Sequence, residues 1–140
     1  MNAKELGRVG ENSAALALED AGWTILCRNA RVGRDEIDII AERGDVLCFA
    51  EVKTRRQYPD HAEREGLSPA DAVDARKRES MIRAAEGWLA LHPTEKSPRL
   101  DVIEVFVNPD NPLDEVLLIR RHENAVKKTA KFSPKRRTRF

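Results

Sequence analysis

The sequence is short of cysteine and of long apolar runs, and each shortage excludes a class of protein. Its two cysteines, Cys27 and Cys48, have neither CxxC spacing nor a neighbouring histidine, which argues against a zinc site or a disulfide framework. No apolar run approaches the roughly 20 residues that a membrane-spanning helix requires. Residues 1–22 contain acids and no continuous apolar core, unlike a signal peptide. We therefore expect a cytoplasmic protein with no membrane partner, in which both cysteines are small core residues.

Several common catalytic signatures are also missing. The three histidines, at positions 61, 92 and 122, are far apart and lack metal-ligand spacing, so we expect them on the surface. No glycine-rich phosphate loop occurs, and no serine has a plausible His–Asp partnership. Trp23 and Trp88 lie in apolar stripes, which favours core positions over platforms for stacked bases.

The net charge of +1 conceals a strong asymmetry along the 140 residues. Residues 120–140 contain nine basic residues and one acid, net +8, whereas residues 1–119 contain 16 basic and 23 acidic residues, net −7. We interpret residues 1–119 as one folded domain and residues 120–140 as a basic, flexible C-terminal tail. Such a tail favours a polyanionic partner, but a solvated terminus that only aids solubility would have the same composition.

The apolar periodicity predicts helices and strands in the order α-β-β-β-α-β-β. The second helix is expected to start at Ser68 and Pro69 and to stop before Pro93. The order implies an α/β fold with a central mixed sheet flanked by helices. The predicted elements are a helix over 3–21, strands over 23–31, 36–42 and 46–53, a mobile charged loop over 55–68, a helix over 68–91, a strand over 99–107 and an edge strand over 115–121.

The stretch DEIDIIAERGDVLCFAEVKTR, residues 35–55, mixes charges with apolar residues in a predicted hairpin. A type II′ turn at RGDV, with glycine at the first central position, pairs residue 43 with 46 and residue 42 with 47. Continuing that register places Asp38 opposite Glu51 and Glu36 opposite Lys53, with Cβ atoms about 4.5–5.5 Å apart. Alternation keeps these four charges on one face. The opposite, packed face should contain Ile37, Ile39, Cys48, Ala50 and Val52.

Two carboxylates held opposite each other repel, so a proton, a cation or a lysine must neutralise them. Paired hard oxygen ligands suit Mg²⁺, which takes the rest of its shell from water and phosphate. Lys53 is then placed to orient or deprotonate an attacking water, or to stabilise charge on the phosphorus centre. The alternative is a set of cross-strand salt bridges on a wet sheet face, Glu36–Lys53 among them, although Asp38 opposite Glu51 gains nothing from such an arrangement.

These residues resemble the PD-(D/E)xK nuclease core. The pattern consists of Ile37-Asp38, twelve residues, and then Glu51-Val52-Lys53. More of the chain agrees: the segments GRVGENSAALALEDAGWTILCRNAR, EIDIIA, FAEVKTR, DAVDARK and RLDVIEV look like the YraN-like family of uncharacterised bacterial proteins. That family is similar to archaeal Holliday-junction resolvases in its predicted core. The resemblance covers roughly residues 7–107.

The resemblance implies a restriction-endonuclease-like fold, a three-layer core with a central mixed sheet and helices on either side. It implies that Asp38 and Glu51 are metal ligands for Mg²⁺ or Mn²⁺ and that Lys53 is the catalytic lysine. Glu11 matches a glutamate that resolvase-like relatives place on the first helix near the metal.

Four further positions follow from the same resemblance. It implies that Glu36 acts on the site through Lys53, and that Arg55 and Lys77 bind phosphates, although either could be a solvated base. Asp35 departs from the family pattern, in which a small residue, usually glycine, precedes Glu36.

Two functions are consistent with these observations. The first is a metal-dependent endonuclease that hydrolyses phosphodiester bonds in DNA, selective for branched substrates. The second is a nucleic-acid-binding module with a nuclease-like core that does not turn over alone; a tail-docked adaptor is a third. The resemblance also implies a homodimer, because resolvase-like enzymes commonly make paired cuts, yet no stretch identifies an interface. The choice between DNA and RNA stays open.

Overall fold

One mixed five-stranded sheet lies between two helices in the computed structural model, which describes residues 2–60, 73–111 and 115–126. The strand order is β1-β2-β3-β4-β5, and only the β3–β4 pair is parallel. The structure confirms the α/β fold class and the predicted element order. The elements are α1 (Ala3–Asp20), β1 (Thr24–Val32), β2 (Asp35–Arg43), β3 (Val46–Arg56), α2 (Ala75–Leu91), β4 (Ser97–Val107) and β5 (Val116–His122).

Each helix covers one face of the sheet and so creates one apolar core. The α1-side core contains Leu18, Ile39, Ala50 and Ile103, while the α2-side core contains Ile40, Phe49, Leu100 and Met81. Neighbouring strand residues alternate between the two cores, as the period of two requires. Both tryptophans and both cysteines contribute to these cores, which confirms their predicted packing role; the cysteines are unpaired.

Capping residues define where the helices begin. Asn2 accepts the Glu5 N–H at 2.8 Å and Glu5 accepts the Asn2 N–H at 3.2 Å, a capping box that starts α1. Asp74 accepts the Lys77 N–H at 2.8 Å and starts α2. Because Val73 and Asp74 are not helical, the predicted continuous helix over 68–91 is wrong, and its predicted start at Ser68 lies outside the described residues.

The β2–β3 hairpin has the predicted turn and the predicted register as far as Ile39 and Ala50. Gly44 has φ +57°, and Asp45 is not left-handed, which is the pattern of a type II′ turn. Beyond Ala50 the ladder stops, so the predicted strand pairing of Asp38 with Glu51 is wrong, as is that of Glu36 with Lys53. In this part of the sheet β2 remains paired with β1, and β3 remains paired with β4. The sheet therefore opens into a fork between β2 and β3.

The face assignment needs one correction at this fork. Ile37 packs in the α2-side core with Ile40 and Phe49, not on the opposite face with Ile39 as predicted. Side-chain alternation along β2 breaks between Ile37 and Ile39, where the pairing with β3 ends. Strict alternation holds only while a strand keeps its regular ladder.

The ends of the other predicted segments fall partly outside the structure's coverage. Arg55 and Arg56 belong to β3 rather than to the predicted charged loop, and residues 61–68 of that loop lie outside the described residues. Residues 120–122 belong to β5, an edge strand as predicted, and Val126 is buried in the α2-side core. The remainder of the predicted tail, 127–140, is not described. Neither α1 nor α2 is long and apolar enough to cross a membrane.

A close approach of α1 to β3 fixes the helix at the fork end of the sheet. A Cβ atom added at Gly10 would collide with the Thr54 hydroxyl, whereas one added at Gly7 meets nothing within 4 Å. We expect Gly10→Ala to lower the free energy of unfolding by about 1–3 kcal/mol, because the helix or Thr54 must move.

Gly7→Ala is the matched control, since it adds the same methyl group to the same helix. It should raise the free energy of unfolding by up to about 1 kcal/mol through helix propensity. Urea denaturation measures both. Equal stabilisation by the two substitutions would contradict a tight contact between α1 and β3.

Candidate active site

Asp38 and Glu51 lie at the fork, one on each of the two separating strands. Asp38 is buried, and its Oδ2 accepts the Val52 N–H at 2.8 Å, which satisfies a backbone donor where the ladder ends. The Glu51 side chain is 16% exposed. The structure thus brings the two predicted ligands together, through a side-chain contact across the fork rather than as a strand pair.

The environment of this acid pair disfavours two negative charges. Burial, followed by the charge of Asp38, raises the pKa of Glu51 to about 8, although Lys77 acts in the opposite direction. Burial also raises the pKa of Asp38, while the Val52 N–H and Glu51 oppose that rise. The pair therefore resists carrying two negative charges near neutral pH, and its two carboxyl groups titrate as a coupled unit.

Lys77 provides the cation that contacts the pair. Its Nζ lies 3.4 Å from Glu51 Oε1, and this oxygen is buried without a hydrogen bond from any described residue. Lys77 is the third residue of α2, so the Asp74 cap that starts the helix also fixes its backbone. A predicted phosphate-binding residue is thus in contact with the predicted metal ligand.

Lys53 and Glu36 are both exposed near the fork. Lys53 follows Glu51 by two residues on β3, and its ammonium makes no hydrogen bond or ion pair within the described part of the chain. Glu36 forms no salt bridge with Lys53, so the cross-strand pair of the alternative interpretation does not form between these two residues. The role of Glu36 through Lys53 stays a prediction.

Glu11 is on the α1 side of the fork and interacts electrostatically with Asp38. Burial, followed by the charge of Asp38, raises the pKa of Glu11, while Arg28 and Asn29 lower it. Among the residues that the structure describes, no group of three or more His, Cys, Asp or Glu side chains is arranged to hold a metal ion. The assignment of Glu11 as a metal ligand stays a prediction.

Arg55 is engaged by an acid that the sequence interpretation missed. Its Nε donates to Glu104 Oε2 at 2.6 Å, and His122 Nε2 lies 2.8 Å from the other oxygen of the same carboxyl group. The His122 side chain is only 15% exposed, so its predicted surface position is wrong. Burial would raise the pKa of Glu104, but hydrogen bonds from His122 and Arg55 outweigh that effect and lower it. The sequence did contain a signal for this acid, because Glu104 is the one charged residue within the apolar run VIEVFV, residues 102–107.

Asp35, the position that departs from the family pattern, connects β2 to α2. Its carboxylate accepts two hydrogen bonds from Arg83, both at 2.8 Å, and one from the Ser80 hydroxyl at 2.9 Å. Hydrogen bonds from Arg83 are the main reason that the pKa of Asp35 falls to about 2. This contact holds α2 against the strand that carries Asp38.

The comparisons with known proteins identify the family of this chain. A family model described as "Uncharacterised protein family UPF0102" matches residues 10–105, well over half of the chain. The chain belongs to the UPF0102 family. This confirms the YraN-like resemblance, since the two names denote one family. The matched range contains Glu11, Asp38, Glu51, Lys53 and Lys77.

Relatives named "UPF0102 protein" align over most of this UPF0102 chain. One from Chlorobium chlorochromatii is 44% identical over 104 residues, covering 74% of this chain and 76% of the relative. One from Symbiobacterium thermophilum is 42% identical over 112 residues, covering 79% of this chain and 90% of the relative. One from Caldicellulosiruptor saccharolyticus is 36% identical over 121 residues, covering 86% of this chain and 98% of the relative. These names identify the family and state no activity.

The raised pKa of Glu51 predicts how stability depends on pH in the absence of divalent cations. A carboxyl group with a higher pKa in the folded than in the unfolded chain stabilises the fold at low pH and loses that effect as pH rises towards 8. We expect wild-type protein in EDTA to lose stability between pH 5.5 and 8.5. Glu51→Gln should be more stable than wild type at pH 8.5 by about 1–3 kcal/mol.

Urea denaturation at the two pH values measures this difference, with Glu36→Gln as the control that removes an exposed carboxyl group from the same region. The control should keep the wild-type pH dependence. Parallel pH dependence of wild type and Glu51→Gln would contradict the raised pKa of Glu51.

Proposed function

We propose that this UPF0102 protein is a metal-dependent endonuclease that hydrolyses phosphodiester bonds in DNA. The buried Asp38–Glu51 pair at the fork is the observation that carries the proposal. Two adjacent buried acids repel and cost stability, so they gain nothing as packing residues. Perturbed carboxyl groups gathered at one end of a sheet are typical of sites that bind or transform ligands.

The acid pair fits Mg²⁺ or Mn²⁺ on chemical grounds. Both ions prefer hard oxygen ligands, and Mg²⁺ is commonly bound by one or two carboxylates together with substrate phosphates and water. Glu51 Oε1 is a buried oxygen without a hydrogen-bond donor among the described residues, which is what a cation would satisfy. Asp38 and Glu51 would hold the metal, and we propose Glu11 as a further contact from α1.

The remaining residues divide into two roles. When bound, the metal would supply Lewis-acid activation of water and neutralise charge at the phosphate. Lys53 is exposed beside Glu51 and would orient the attacking water or donate hydrogen bonds to the phosphate as charge develops. Arg55, Lys77 and the basic residues after position 119 would hold the backbone without reading bases.

The substrate and assembly of the proposed enzyme follow from its likeness to resolvases. We propose branched DNA as the preferred substrate. Paired cuts in a branched molecule need two active sites, so the proposal includes a homodimer. The second candidate is a binding module that does not cleave alone. It is favoured by one observation, that Lys77 rather than Lys53 contacts the acid pair.

Cleavage of a labelled panel tests the proposal. The panel contains duplex, single strand, flap, four-way junction and structured RNA, with Mg²⁺ or Mn²⁺. We expect wild type to cut branched DNA. Asp38→Asn keeps the side-chain shape and one acceptor for the Val52 N–H, yet it should reduce cleavage at least about 100-fold, because it removes a charge that would bind the metal.

Asp45→Asn is the matched control, because it makes the same change at the exposed turn of the same hairpin, and it should cut like wild type. Equal cleavage by wild type and Asp38→Asn would overturn the assignment of the site. Salt-sensitive binding without cleavage by any variant would favour the binding module.

A further inference from the structure

The Lys77 ammonium is close to Glu51 but farther away than in a usual N–H···O hydrogen bond. The Nζ–Oε1 distance of 3.4 Å exceeds that of a good charge-assisted hydrogen bond, and Oε1 receives no hydrogen bond from any other described residue. The contact is therefore mainly Coulombic. An ammonium held in this way can be displaced by a competing cation more easily than a hydrogen-bonded guanidinium such as Arg55, which donates to Glu104 at 2.6 Å.

The backbone of Lys77 is fixed even though its ammonium is not. The Asp74 cap accepts the Lys77 N–H, and Asp35 holds α2 three and six residues further on through Ser80 and Arg83. The Lys77 side chain is 38% exposed, whereas that of Arg55 is 13% exposed. A flexible four-carbon stem on a fixed helix turn lets the ammonium move between Glu51 and solvent without any backbone change.

We infer that Lys77 is a built-in counter-ion of Glu51 which a divalent cation displaces, and that the displaced ammonium then binds a phosphate of the nucleic acid. This inference rests on the proposed function. It follows from competition for one oxygen, because an ammonium and a metal ion beside Glu51 Oε1 repel each other. The displaced ammonium would remain at the mouth of the fork, where a substrate phosphate must approach the acid pair.

Metal binding and nucleic-acid binding are then coupled through one side chain. Without metal, Lys77 is partly neutralised by the negative charge of the Asp38–Glu51 pair and contributes little to holding a phosphate. With metal, the same charge becomes available to the substrate. Such coupling is reciprocal, so nucleic acid should strengthen metal binding by the same factor.

Three variants separate this role from a general loss of positive charge. Lys77→Met removes the ammonium and keeps most of the stem, while Lys77→Arg keeps the charge. Lys96→Met is the matched control at the hairpin turn: Lys96 is 33% exposed, and its Nζ lies 2.6 Å from the Gly44 carbonyl and 3.9 Å from Glu42. Urea denaturation establishes that each variant folds.

The first measurement is Mn²⁺ binding without nucleic acid, followed by the electron paramagnetic resonance of free Mn²⁺. We expect Lys77→Met to bind Mn²⁺ about three- to ten-fold more tightly than wild type, because a cation that repels the metal is gone. The substitution also strengthens proton binding at Glu51, but a doubly charged ion gains about twice as much as a proton, so the sign holds. Lys77→Arg should bind Mn²⁺ no more tightly than wild type, because it keeps the positive charge, and Lys96→Met should stay within about two-fold of wild type.

The second measurement is duplex binding by fluorescence anisotropy, in EDTA and in Ca²⁺, with a gel to verify that the duplex stays intact. In Ca²⁺ we expect Lys77→Met to bind the duplex at least about three-fold more weakly than Lys96→Met. The slope of the logarithm of its binding constant against the logarithm of salt concentration should be smaller in magnitude by about 0.9. In EDTA the two variants should bind alike. Lys77→Arg should restore the response to Ca²⁺ in part, because it keeps the charge but its guanidinium leaves Glu51 less easily.

The outcomes separate this inference from the proposed function. Unchanged or weaker Mn²⁺ binding by Lys77→Met overturns the counter-ion role, and equal weakening in EDTA and Ca²⁺ overturns the transfer to phosphate, even if wild type cleaves DNA. Absence of Mn²⁺ binding in wild type and Lys77→Met, or binding that Glu51→Gln leaves unchanged, overturns the metal site and this inference with it. Metal binding that Lys77→Met strengthens, in a protein that cleaves nothing, would support the inference and contradict only the nuclease activity.

Discussion

The hydrogen bond from the Val52 N–H to the Asp38 carboxylate is the interaction on which the fork depends. Where β2 and β3 separate, a backbone donor of β3 loses its strand partner, and leaving it buried and unpaired would cost about 1–3 kcal/mol. Asp38 supplies the acceptor at 2.8 Å. The acid is therefore held by the same break in the ladder that opens the site, and its position follows from backbone pairing rather than from a flexible loop.

The buried acids of the described residues differ in how completely they are paired, and this difference separates the acid pair at the fork from the others. Asp35 accepts from Arg83 and Ser80, Glu104 is bonded to Arg55 and His122, and Asp101 accepts from Arg99, Cys48 and the Asn124 N–H. Both oxygens of each are satisfied, as stable burial requires. The acid pair at the fork has instead two carboxyl groups in contact with each other and one ammonium at 3.4 Å. Its deficit of positive charge is what a divalent metal ion would relieve.

The local sequence predicted the turn of the β2–β3 hairpin and the first part of its register. The point at which that register ends depends on non-local strand pairing, which the local sequence does not show. Glycine at the turn set the register that the structure confirms as far as Ile39 and Ala50. The divergence beyond them depends on β1 holding β2 and on β4 holding β3, and no local signal in the hairpin reports those contacts. The position of Glu104 opposite Lys53 was unpredictable for the same reason. The parallel register of β3 and β4 is set by the crossover through α2, not by the sequence of either strand alone. At α2 the predicted start was Ser68, whereas Asp74 caps the helix in the structure.

The two lysines near the acid pair show why spacing identifies a site more reliably than it assigns roles within it. Lys53 shares a strand with Glu51, so its proximity is evident in the sequence, yet its side chain is exposed and makes no ion pair in the described ranges. Lys77 lies 26 residues after Glu51 in the sequence and reaches it only because α2 packs back over the fork. A strand lysine open to solvent suits contact with an incoming phosphate. A helix lysine beside Glu51 suits control of the charge there, and the proposed displacement by a metal would make it a second contact for phosphate beside Lys53.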